Sequence, residues 1–311
     1  CDRRQRQMCI RDRVTALGIK RSEKALTYNV QEVAGDIVNT VKDANFMNSL
    51  SGKVAGLQIN ASASGVGGST RVVMRGVKSI SGNNNALYVI DGIPMPDLRS
   101  SQTEGTYETP DGGDFEGISN LNPEDIESMT VLSGATAAAL YGSQGANGVI
   151  MITTKKGSKG RARLSFAANF GVQSLSHKLD MADASQFVHG VRRAAQSDGI
   201  GMTNGAWINY DKQLNSIDWQ DEMSQTALQQ NYNLSLSGGN DNMQAMASFG
   251  YLNNDGIIIE SNFKRITARA NVNFNIQKFI RAGINLAYVH TEKYGGGNLL
   301  NYATIIPTMD D

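Results

Sequence analysis

The chain has 311 residues, room for about two domains, and its Lys+Arg 29 balance its Asp+Glu 29, so neither nucleic acid nor an acidic surface is favoured as a partner. Glycine at 33, proline at 5 and aromatics at 7% lean towards a β-rich architecture with many turns. No apolar run reaches the roughly 18 residues that a spanning helix needs, which excludes helical membrane spans.

Both cysteines, Cys1 and Cys9, lie in the opening CDRRQRQMCIRDR, so a structural disulfide is not expected. That opening lacks apolar periodicity. Residues 1–13 read as translated cloning or adapter sequence, with a disordered basic tail as the alternative, and are set aside from the fold. No signal peptide is visible; for an exported protein this implies that the start has been lost.

Residues 14–42 are mixed in character. Next, DANFMNSLSGKVAGLQI predicts a short amphipathic helix with Phe46, Leu50 and Leu57 on one side and Asn45 as its cap. After the flexible SASGVGGST, the alternation in RVVMRG predicts a strand over 71–76. A second strand, ALYVIDGIPM, runs into Asp91-Gly92, a pair suited to a tight turn. Residues 97–120 are polar and glycine-rich and read as a long exposed loop. Asn122 then caps a turn that begins with Pro123. The strand IESMTVL, an alanine-rich helix over 134–141 stopped by Gly142, and the strand NGVIMITT follow. Residues 14–157 thus form an α+β unit of short pieces.

Beyond Gly157 the pattern has period two. Leu164, Phe166, Ala168, Phe170 and Val172 share one face, with Arg163, Ser165, Asn169 and Gln173 opposite. Four further stretches alternate likewise, around residues 232–237, 244–251, 266–275 and 280–289. An antiparallel sandwich would also carry an apolar face. The polar face of Arg, Asn, Gln and Ser, in strands of about 9 to 13 residues, is the dyad pattern of a transmembrane barrel with a wet lumen. Connections alternate in length: long over 174–230, short at 238–242, intermediate over 253–263, short at 276–278, long from 291. Outer-membrane barrels have short periplasmic turns and long outer loops, so the long connections are expected outside.

Chemistry-bearing patterns are sparse. GVGGSTR at 65–71 lacks the lysine of a phosphate-binding loop and does not complete GxGxxG. His177, His189 and His290 are scattered, with no nucleophile–base or metal-ligand spacing. DGGDFEG at 111–117 does not meet the calcium-loop pattern and reads as a solvated loop. Arg71 and Arg75 occupy one strand face. They suit a domain lodged in a polar lumen, and equally the solvated face of a soluble one. Tyr232, Phe249, Tyr251 and Tyr288 near strand ends fit an aromatic girdle or core packing.

The set LYVIDGIP (87–94), NPEDIESMTVLSGATAAALYGSQGANGVIMITTKKG (122–157), DWQDE (218–222), QNYNLSLSGG (230–239) and FKRITARANVNF (263–274) resembles the SusC/RagA-type TonB-dependent outer-membrane transporters, from about residue 14 to the end. The resemblance implies an α+β plug domain over 14–157 followed by antiparallel transmembrane β-barrel strands over 158–311. About five strands are present, where the family has roughly 22. This implies a fragment, without the closing strands, the N-terminal regulatory domain or the TonB-contacting box.

The resemblance further implies active import of oligosaccharides or peptides, not enzymatic turnover. It implies location in the outer membrane of a Gram-negative bacterium, with TonB, a SusD-like surface lipoprotein and outer-membrane lipid as partners. No cofactor or metal is expected. Substrate contacts are expected from residues 81–85 and the loop 96–107, with Asn84, Asp97, Arg99 and Tyr107 as candidates, and Arg71 and Arg75 are expected to face the barrel lumen. A siderophore or vitamin receptor, a secreted β-sandwich adhesin and a glycan-active hydrolase are the competing readings.

Overall fold

The computed structural model describes residues 12–14, 20–22, 30–39, 43, 45–61, 66–68, 70–74, 76–77, 84–95, 117–132, 134–197, 216–277 and 280–295. Strands β1 (Asp12–Val14) and β2 (Lys20–Ser22) pair antiparallel, so Asp12 and Arg13, part of the stretch set aside above, are hydrogen-bonded to the chain that follows. Strand β3 (Val30–Ala34) leads into the short helix α1 (Gly35–Val38). Asn45 caps a 3-10 turn, Phe46–Leu50, its side-chain oxygen accepting from the Met47 amide at 3.2 Å.

The helix expected to continue to Leu57 ends at Leu50. Gly52 and Gly56 adopt φ of 75° and 74°, which breaks the helical path, and Leu57 opens strand β4 (Leu57–Ala61), paired antiparallel with β5 (Thr70–Met74).

Strands β6 (Leu87–Ile90) and β7 (Ile93–Pro94) form a hairpin across Asp91-Gly92, whose φ values of 50° and 90° are both positive, as a type I′ turn demands. After a 3-10 turn at Pro123–Asp125 come β8 (Ile126–Leu132), helix α2 (Gly134–Tyr141) and β9 (Val149–Thr154). The sheet order is β3-β8-β9-β6-β7, with β9 antiparallel to β8 and parallel to β6.

Ile150 and Ile152 of β9 enter a core with Val33, Val38, Phe46, Met47, Leu50, Ile126 and Met129. Val149 and Met151 enter a second core with Val89, Leu132 and Ala137 of α2. Burial on both faces is why VIMITT reads as an unbroken apolar run. Each such side chain removed from water stabilises the unit by about 1.5–3 kcal/mol.

The remaining strands form one antiparallel sheet in chain order: β10 (Gly160–Gln173), β11 (Ala227–Gly239), β12 (Met243–Asp255), β13 (Asn262–Gln277) and β14 (Ile280–Tyr294). Helix α3 (Ala184–Ser197) and the single turn α4 (Trp219–Glu222) lie in the long connection between β10 and β11. Register aligns the apolar positions into rungs, such as Phe166–Leu234–Phe249–Ala268–Tyr288.

Among the described residues this face packs on no second sheet. Phe166 is 67% exposed, Leu234 43% and Leu286 64%, while Val272 is half-buried. The opposite face is the covered one: Gln229, Asn231, Asn233, Asn254, Arg265, Thr267 and Asn271 are all buried. A sandwich would invert this arrangement. Phe170 and Tyr251 flank Tyr232 on the outward face, with ring centroids 5.6 Å and 6.3 Å from it.

Candidate functional site

What covers the polar face is the N-terminal unit, and the contact between the two is built from amides, hydroxyls and an ion-paired arginine. The Asp91-Gly92 turn presents its carboxylate at the end of β6, beside Thr154 at the end of the parallel β9. The Thr154 amide donates to Asp91 Oδ1 at 3.0 Å and its hydroxyl donates to Oδ2 at 2.5 Å. From the wall strand β13, Arg269 Nη2 donates to Asp91 Oδ2 at 2.8 Å and to Thr154 Oγ1 at 2.5 Å. Both charged side chains are only 12% exposed. One guanidinium group thus holds two strand ends of the N-terminal unit together against the wall.

A second carboxylate stands nearby. Asp125 is buried, and burial raises its pKa above the ordinary 3.8 against the opposing pull of the Ser248 hydroxyl and the charges of Arg269 and Lys155. Arg265, also buried, lies within its field. Arg265 and Arg269 are four residues apart on β13, so both side chains point to the same face, roughly 13 Å apart along the strand.

Two further contacts fix the register between the units. Asn122 uses its oxygen to cap the turn, accepting from the Glu124 amide at 3.1 Å, and its Nδ2 to donate to Asn233 Oδ1 of β11 at 2.7 Å. Asn233 in turn donates to Asn231 Oδ1 at 2.8 Å. Gly250 on β12 lines this bridge: a Cβ there would lie 2.9 Å from Asn233 Oδ1 and 2.6 Å from Thr267 Oγ1. Phe263, fully buried, fills the space against Val66 and Gly67, where a Cβ on Gly67 would overlap its ring.

The residues singled out from the sequence are not gathered here. Arg71 is exposed on β5, and Asn84 is buried at 5% exposure. Arg75, Asp97, Arg99 and Tyr107 lie outside the described residues. Sequence reasoning missed Asp91, Thr154, Asp125 and Arg265 as interface groups and treated Arg269 only as a polar-face residue. The available signal was two arginines at even spacing on a lumen-facing strand, with an aspartate in the turn of the preceding unit.

At the end of the sheet with the long connections, an open cleft of about 760 Å3 is lined by Gln225, Asp255, Glu260, Asn262, Lys264 and Lys293. At the other end, Lys159 pairs with Asp241 of the short turn. Among the described residues no group of three His, Cys, Asp or Glu is placed to hold a metal.

Residues 22–149 match the family described as TonB-dependent Receptor Plug Domain. TonB-dependent receptor P3 of Formosa agariphila is 32% identical over 297 residues, covering 89% of this chain and 26% of the relative. TonB-dependent receptor SusC of Bacteroides thetaiotaomicron is 32% identical over 268 residues, covering 85% of this chain and 24% of the relative. Among solved structures, the RagAB peptide importer in its closed-closed state superposes with a TM-score of 0.70 at 25% identity, over 86% of this chain and 31% of that chain. The chain spans about a quarter of the length of the curated relatives it matches.

Proposed function

The chain belongs to the SusC/RagA-type TonB-dependent transporters, and from that membership we propose that it supplies the plug, residues 14–157, and the first wall strands, residues 158–311, of an outer-membrane importer of oligosaccharides or peptides in a Gram-negative bacterium. The observation that carries this reading is the inverted sheet. Its oily face is bare, as contact with lipid hydrocarbon requires, and its polar face is covered by a globular unit that occupies the lumen.

In this reading no covalent chemistry takes place. The resting plug closes the bore, and a pull relayed by TonB rearranges it after a solute has bound at the outer side. A SusD-like surface lipoprotein would present that solute. Asp97, Arg99 and Tyr107 belong to a loop proposed to meet it, with Arg71 and Arg75 on plug surface that faces the bore. Asn84 contributes only if the segment around it opens.

The test is uptake of fluorescently labelled oligosaccharides and peptides by cells with and without the gene and with and without TonB. TonB-dependent uptake lost on deletion supports the reading. A gene product recovered in the aqueous fraction without detergent would refute it.

A further inference from the structure

The wall strand β13 carries an arginine, Arg269, whose side chain is only 12% exposed and faces a plug carboxylate. Arg269 meets Asp91 at 2.8 Å and Thr154 at 2.5 Å. The Arg269 group is a closed triangle: the Thr154 hydroxyl donates to Asp91 and accepts from the guanidinium, so no member can leave without breaking bonds on the other two. The triangle also joins the ends of β6 and β9, the two parallel strands at the heart of the plug sheet, to a single point on the barrel.

We propose that Arg269, with Asp91 and Thr154, is the latch that sets the plug's closed resting position. Arg269 and Asp91 are therefore positioning residues for gating. Two physical reasons make the latch selective for the closed state. A buried ion pair with one partner removed leaves an uncompensated charge, so plug displacement is opposed until water reaches the site. The Asp91 side chain is aimed by a turn with two positive φ values, a geometry fixed before docking.

The inference rests on the plugged-barrel reading above, and the test separates the two. In cells lacking TonB, the complete gene product is made in wild-type form, without residues 30–154, and as Asp91→Arg, Arg269→Asp and the doubly swapped variant. Entry of vancomycin, scaled to the amount of protein in the outer membrane, reads the resting leak.

Deletion of residues 30–154 is expected to leak; if it does not, the plugged-pore reading fails. Each single inversion is expected to raise the leak per molecule roughly tenfold or more, and the double swap to restore most of the closure. Asp91→Asn and Arg269→Gln, milder changes that keep shape, are expected to leak in the same direction where an inversion lowers protein levels. Singles that stay closed while the deletion leaks, or a double swap that leaks as much as either single, would overturn the latch and leave the plugged pore standing.

Discussion

Asn122 of the plug and Asn233 of the barrel share one hydrogen bond, 2.7 Å from Nδ2 to Oδ1, while the oxygen of the same Asn122 amide caps the turn that starts β8. One side chain therefore couples local folding to docking. Asn122→Ala is expected to cost about 1 kcal/mol for the cap and about 1 kcal/mol more for the cross-unit bond. Asn122→Asp keeps the capping acceptor but sets a second acceptor against Asn233, so its loss falls on docking. Gly250→Ala on the barrel side should weaken the same bond, because its methyl group would lie 2.5 Å from Asn122 Nδ2 and 2.9 Å from Asn233 Oδ1. Thermal unfolding of the purified protein, with protease sensitivity of the plug as a second readout, checks all three.

Phe263 and Gly67 form a knob and its seat. Phe263→Ala is expected to cost about 3–5 kcal/mol through the cavity it leaves. Gly67→Ala should be destabilising on its own, because the new methyl overlaps the ring and the residue keeps φ of 70°. With the ring gone the overlap disappears, so the double variant should be more stable than the sum of the singles predicts. A double-mutant cycle in denaturant measures it, and strict additivity would contradict the contact.

On β10 neighbouring residues should respond in opposite ways. Phe166→Arg places a charge on the bare apolar face and is expected to cost about 2–4 kcal/mol of barrel stability near the bilayer centre. Ser165→Arg, one residue earlier on the polar face, should be close to neutral. Folded fraction in lipid vesicles, read by gel mobility without heating, distinguishes them; equal losses would contradict the assignment of faces.

Burial raises the folded-state pKa of Asp125 above its ordinary 3.8. The native protein therefore takes up this proton before the unfolded chain does as pH falls. Stability from this group rises as pH drops from the folded pKa towards 3.8, is complete below it, and is lost again as pH climbs through the folded pKa. The other carboxylates carry their own dependence, so the quantity to measure is the difference between wild type and Asp125→Asn. Wild type should gain melting temperature relative to the variant on acidification across that interval. A relative loss would mean that Arg269, Lys155 and Ser248 outweigh burial.

Where a residue's own backbone needs decided the outcome, the sequence was a good guide. The Asp91-Gly92 turn, the Asn122 cap, helix α2 ending before Gly142 and all five wall strands were anticipated, because each depends on local propensity or strict alternation. Leu57 was placed on a helix because its spacing from Phe46 and Leu50 suits one, and two glycines with positive φ between them overruled the spacing. Strand β3 and helix α1 were hidden in a stretch read as mixed, since Val33 and Val38 become core residues only once β8 lies alongside. The interface could not be read ahead for a similar reason. Asp91 and Arg269 lie 178 positions apart, and nothing in either neighbourhood names the other.

Strand β9 ends at Thr154 and β10 begins at Gly160, so the plug hangs from the wall by residues 155–159, a leash of roughly 20 Å when taut. A unit on so short a line stays close to the wall strand from which it hangs. For the proposed import, a displaced stopper would therefore keep its docking groups within reach of Arg269.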